Sequence, residues 1–217
     1  GVRYSRNIFD LMVVDEGYQA TFSSLASAAV CSTQLLVVGD SGQIGPVVSE
    51  DVSAFESWRA TPHFRAPDVL ATREDFETFH LGTSYRLGQE TVDVVGLLYP
   101  FPLSSGRPHR ELTTERGLLP EIETIDMGAV TDLNDMDMLR AAVDRAIECS
   151  QGQRFDGDVV DTFPMSDHDV AIVVSRNTQL SLIRGMLDSA GHPGITVGTA
   201  NKLQGGQWSA VVAIDPL

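Results

Sequence analysis

Two acidic residues side by side, Asp15 and Glu16, close the apolar run Leu11–Val14, and an amide, Gln19, follows three positions after Glu16. Adjacent carboxylates at a strand end divide labour when their environments differ. Asp15 is placed to hold Mg2+, largely through water, and Glu16 to orient and deprotonate an attacking water. The alternative for Asp15 is a cap on the helix that follows. A second apolar run, Gln34–Val38, leads into Asp40 and the loop GDSGQIGPV, whose glycines permit a tight backbone path. Gln43 in this loop offers a neutral donor and acceptor, which registers a phosphate without adding charge. Taken alone, such a loop is more often a plain turn.

The elements that must position these residues follow from the apolar pattern. FDLMVVD (9–15) and QLLVVGD (34–40) read as buried strands, and QATFSSLASAAV between them as a helix. Strand, helix, strand with short links predicts a parallel unit covered on both faces. Ligands of such sheets gather outside the carboxyl ends of the strands, where both acids stand. Pro46, Pro62 and Pro67 break the pattern over 41–78, which reads as loop with short helices. Beyond it, GQETVDVVGLLY predicts a helix and PFPLSSGRPHRELTTERGLLPE (100–121) an irregular excursion. DMDMLRAAVDRAIECS predicts a helix with an apolar stripe through Met138, Leu139, Ala142, Val143 and Ile147. DVAIVVS reads as a buried strand, TQLSLIRGMLDSAG as a helix stopping at Gly191, and ITVGTA and WSAVVAID as strands around a short polar turn. The chain is thus α/β twice over, with a boundary between Phe76 and Gln89. TDLNDMD (131–137) and FDGDVVD (155–161) lack calcium-loop spacing and read as solvated loops.

At 217 residues the chain is long enough for one large or two modest cores. Its formal charge of −15 excludes a surface that is basic throughout, so a polyanion site must be a local strip of arginines, Lys202 being the sole lysine. Cys31 and Cys149 lack metal or redox spacing and read as reduced thiols of a cytoplasmic protein. No apolar run approaches the roughly 20 residues that span a bilayer, and the N-terminus carries no signal-peptide pattern. His63, His80, His109, His168 and His192 show no metal spacing, and Trp58 and Trp208 read as packing residues.

Five segments in order resemble the motor core of superfamily 1 helicases. VVDEGYQ is similar to their Walker B motif, GDSGQIGPV to the third motif, and LGTSYRLGQETVDVVGLLY to the fourth with its Tyr-Arg pair. DVAIVVSRNTQLSLIRGML resembles the strand, loop and helix of the second RecA-like domain, and ITVGTANKLQGGQWSAVVAID the fifth motif. The Gln-Gly pair of the fifth motif and the Gly-Pro end of the third lean toward the RNA-surveillance branch, with repair helicases of the UvrD type second.

The resemblance implies an α/β fold of two incomplete RecA-like P-loop NTPase domains, residues 1–82 and 83–217. It implies Asp15 as the Mg2+ ligand, Glu16 as general base, Gln19 and Asp40 as nucleotide-coupling residues, and Gln43 as sensor of the terminal phosphate of ATP. Arg86 would act as an arginine finger, a class of residue that supplies roughly 10³–10⁵ in rate. Thr199, Gln204 and Gly205 would lie near single-stranded DNA or RNA. Gln207 stands where the family carries Glu, which makes a nucleotide contact there neutral. The chain contains no G-x-x-x-x-G-K-[ST] loop, which the family places upstream, and no sixth motif, which would follow Leu217. The expectation is therefore an internal piece of an ATP-dependent nucleic-acid translocase, inactive by itself. The alternatives are an ATPase switch acting on a protein partner without unwinding and a non-catalytic module with a decayed nucleotide site.

Overall fold

A computed structural model describes residues 8–58, 60–128, 130, 132–157 and 159–214. Asp215, the expected end of the last strand, and Thr131 and Asp158 of the two acidic segments lie outside the described residues. The chain is mixed α/β with several small sheets and divides into two compact units, residues 1–82 with 97–102 and residues 83–96 with 103–217.

In the first unit, β1 (Phe9–Val14) is followed by a single 3-10 turn at Gly17–Gln19, then α1 (Phe22–Ala29) and β2 (Ser32–Val37). The two strands pair in parallel, Phe9 opposite Ser32 and Val14 opposite Val37. α1 is capped by Thr21, whose hydroxyl accepts from the Ser24 amide at 3.2 Å. The five-residue α2 (Ala66–Leu70) adds Ala66 and Leu70 to a small core with Leu25, against which Val14, Leu35 and Val37 pack. Side chains alternate across a strand, so Val14, Leu35 and Val37 share the packed face. The other face carries Phe9, Leu11, Val13 and Leu36, each between 49% and 57% exposed. The expectation of strands covered on both faces is thus corrected. Apolar runs occur on both faces here, but among the described residues only one is packed.

The second unit opens with β3 (Thr83–Ser84), α3 (Gln89–Val95) and β4 (Ser104–Ser105), with β3 and β4 parallel. Next come β5 (Arg110–Thr114), β6 (Gly117–Leu119), α4 (Met136–Ser150), β7 (Gln153–Asp156) and β8 (Val159–Pro164). β5 to β8 form an antiparallel sheet in the order β6-β5-β7-β8. This overturns two expectations, since the excursion over 100–121 contains strands and FDGDVVD lies in a hairpin. Charged cross-strand pairs hid the sheet. Arg110 stands opposite Asp156, their side chains paired at 2.8 Å, so the strand lacks a clean apolar alternation.

β9 (Val170–Val174), α5 (Asn177–Ala190), β10 (Thr196–Thr199), the single-turn α6 (Ala200–Leu203) and β11 (Ala210–Ala213) complete the unit. β9 lies centrally in a parallel sheet, β10 on one side and β11 on the other. Leu139, Val143 and Ala146 of α4, Ile183 and Leu187 of α5, and Val170, Ile172 and Val174 of β9 are buried together. The Asp135 carboxylate starts α4 by accepting from the Asp137 and Met138 amides, both at 3.0 Å, and α5 stops at Gly191 with φ 82°.

The buried Gln179 ties the loop after β9. Its oxygen accepts from the Ser175 and Arg176 amides at 3.1 and 3.0 Å, and its nitrogen donates to the Leu133 carbonyl at 2.6 Å. Among the described residues no helix is long and apolar enough to cross a membrane.

Candidate functional site

The parallel pairing of β1 and β2 sets their carboxyl ends side by side, and each end turns into a loop bearing acids. Asp15 and Glu16 are exposed at the end of β1. The Asp15 Oδ1 accepts from the Glu16 amide at 2.9 Å, which orients that carboxylate. The helix-cap alternative is not realised, because Thr21 caps α1. Glu16 has φ 53° and ψ 38°, and it is the one non-glycine residue with positive φ among the described residues. A left-handed backbone costs an L-residue about 1–2 kcal/mol, so the turn holds this conformation against a local penalty. Gln19 donates from Nε2 to Glu16 Oε2 at 3.3 Å, and the Gln19 amide donates to the Glu16 carbonyl at 2.9 Å.

The second loop is built on Asp40. Its Oδ1 accepts from the Gly42 amide at 2.9 Å and from the Tyr99 hydroxyl at 2.8 Å, and its Oδ2 accepts from Gln43 Nε2 at 3.2 Å. Arg65 Nη1 donates to the Ser41 carbonyl at 2.9 Å from another side. The two loops touch through the backbone, since Gly17 donates its amide to the Val38 carbonyl at 2.8 Å. Close approach is possible because Gly17 lacks a Cβ, which would collide with Val37. Burial and the hydrogen bond to Asp40 push the Tyr99 hydroxyl up to about 12, so Tyr99 remains a donor across the neutral range.

These contacts bring Asp15, Glu16, Gln19, Asp40 and Gln43 to one end of the β1–β2 pair. Arg86 belongs to the second unit, is exposed, and makes no ion pair among the described residues; the Arg107 guanidinium donates to its carbonyl at 3.2 Å. Thr199 ends β10 opposite Val174 of β9 and precedes α6. Gln204 and Gly205 follow α6, with Gly205 at φ 80°, and Gln207 is exposed. Near the carboxyl end of β9, an open depression is lined by Asp132, Leu133, Asn134, Arg176 and Thr178.

Sequence reasoning missed Tyr99 and Arg65, which hold the Asp40 loop from elsewhere in the chain. The only local mark on Tyr99 is the Tyr-Pro step that ends a helical stripe. Cys31 and Cys149 are free thiols, and burial pushes that of Cys149 up, as expected for an unreactive structural thiol.

Among the described residues no three His, Cys, Asp or Glu side chains converge into a cation site. A lone oriented carboxylate at a strand end fits Mg2+ that keeps water and takes phosphate oxygens as its other ligands. No protein-family model matches the chain, and no curated protein matches it at a significant level.

Proposed function

We propose that these residues carry the hydrolysing carboxylates and the sensor loop of an ATP-driven nucleic-acid translocase of the superfamily 1 type. The observation that carries the reading is Glu16, an exposed carboxylate held in a left-handed turn beside Asp15 and against the Asp40 loop. Non-glycine residues in strained backbone cluster at functional sites, and this one sits at the carboxyl end of a parallel strand.

In this reading Glu16 takes the proton of the attacking water, with the Gln19 amide fixing the rotation of its carboxylate. Asp15, oriented by the Glu16 amide, holds Mg2+. When bound, the ion neutralises phosphate charge. Gln43 contacts the terminal phosphate as a neutral donor. Arg86 is the phosphate-directed cation of this reading, and its exposed guanidinium is compatible with that role. Thr199, Gln204 and Gly205 supply hydroxyl, amide and accessible backbone toward the sugar-phosphate chain of single-stranded DNA or RNA.

A switch ATPase that acts on a protein partner is the second reading. It is favoured by the formal charge of −15 and by the exposed apolar face of β1 and β2.

The test is ATP turnover by the protein carrying these residues, with and without single-stranded DNA or RNA, beside Glu16→Gln. Stimulation by one nucleic acid, lost in Glu16→Gln, is the expected result. Turnover indifferent to both would transfer the assignment to the switch. Residues 1–217 alone, lacking a phosphate-binding loop, are expected to show no turnover. Activity of that piece, abolished by Glu16→Gln, would overturn this part of the reading.

A further inference from the structure

We propose that Tyr99 is a positioning residue for Gln43: its hydroxyl fixes the Asp40 carboxylate, and that carboxylate fixes the Gln43 side-chain amide. The proposal rests on the reading of Gln43 as phosphate sensor and adds the means by which the sensor is set. Both oxygens of Asp40 are engaged. Oδ1 accepts from Tyr99 at 2.8 Å and from the Gly42 amide at 2.9 Å, and Oδ2 accepts from Gln43 at 3.2 Å. Withdrawing the hydroxyl therefore leaves Oδ1 with the Gly42 amide alone and loosens the carboxylate that holds Gln43.

The ring is seated as closely as the hydroxyl. A Cβ on Gly42 would lie 2.7 Å from the Tyr99 Cζ and Oη, so the aromatic ring rests on the loop backbone itself. Phe101 packs edge-on to Tyr99 with centroids 5.4 Å apart and stacks on His80 at 4.3 Å, which anchors the segment on both sides of its proline.

Residues 97–102 group with the first unit, whereas residues 83–96 before them and 103 onward belong to the second. The chain thus leaves the second unit, lays Tyr99 on the sensor loop and returns. Tyr99 thus acts on Gln43 through Asp40 within the first unit.

Tyr99→Phe tests this, since it removes one hydroxyl and keeps the ring on Gly42. In the protein carrying these residues, labelled with ¹⁵N-glutamine, the Gln43 side-chain amide is assigned by its loss in Gln43→Ala. Tyr99→Phe is expected to move that resonance, and Tyr85→Phe to leave it in place. A Gln43 amide unmoved by Tyr99→Phe overturns the proposal. In turnover, Tyr99→Phe is expected to lower kcat about threefold to tenfold with KM within about twofold, as for one lost positioning hydrogen bond. It should add nothing in a Gln43→Ala background; independent, additive losses overturn the proposal. The two readings separate cleanly. Gln43 resonances that ignore Mg-ATP defeat the nucleotide reading, while their dependence on Tyr99 is measured without nucleotide.

Discussion

Glu16 shows what a single residue gives up for its position. It is exposed, so packing does not dictate its side chain, yet its backbone sits at φ 53°. Bulk at Cβ worsens that conformation and glycine relieves it. Glu16→Val is therefore expected to lower stability by about 1–2 kcal/mol, an amount unusual for an exposed site, while Glu16→Gly melts at or above the wild type. Denaturant unfolding of the two variants decides it, and a Glu16→Val protein as stable as the wild type would mean that the turn relaxes. At this scale the sequence was informative wherever chemistry follows directly on an apolar strand, which is how Asp15, Glu16, Asp40 and Gln43 stand out. Tyr99 was not legible. Its partner Asp40 is 59 residues away, and no periodicity encodes a contact at that distance.

Elements were legible where an apolar run or stripe is unbroken, as in β1, β2, α4 and β9. β9 is a short apolar run enclosed by α4 and α5, and α4 carries one unbroken stripe, so both could be read from spacing alone. β5, β7 and β8 expose polar and charged side chains, and their order comes from pairs that only the register reveals.

The same sheet is clamped to α4 by Glu148. Its carboxylate accepts from Thr114 at 2.6 Å, from the Arg116 Nε at 2.9 Å and from Arg145 at 2.8 Å, and Arg145 also pairs with Glu123. The Arg116 guanidinium leads in holding the Glu148 carboxyl down at about 2, helped by Thr114 and Arg145 against the cost of burial. A depressed carboxyl stabilises the fold above its unfolded value and ceases to do so as pH falls through the folded one. Between about pH 4.5 and 2 the wild type should lose stability that Glu148→Gln has already lost. Unfolding midpoints at pH 6 and pH 2.5 check this, and equal acid sensitivity in both proteins would remove Glu148 from the account.

On the scale of the whole molecule, the formal charge of −15 and the uncovered face of β1 and β2 pull in opposite directions. Like charge keeps copies apart, whereas Phe9, Leu11, Val13 and Leu36 present contiguous apolar surface. An apolar fluorescent dye should bind the folded chain, and Leu11→Lys with Val13→Lys should cut that binding while shifting stability by less than about 1 kcal/mol. Dye binding unchanged by the pair would place the sticky surface elsewhere.

The strap bearing Tyr99 has a further consequence for how the protein is made. A ribosome delivers Asp40 59 residues before Tyr99. At roughly 5–20 residues per second that interval is about 3 to 12 seconds. At first the loop of the nascent first unit lacks both Arg65 and its hydroxyl donor, then only the donor, and β1 and β2 have already emerged with one apolar face bare. The first unit is therefore not complete until residue 102, after residues 83–96 of the second have been made. Its completion waits on residues 97–102, which follow the first stretch of the second unit in the chain.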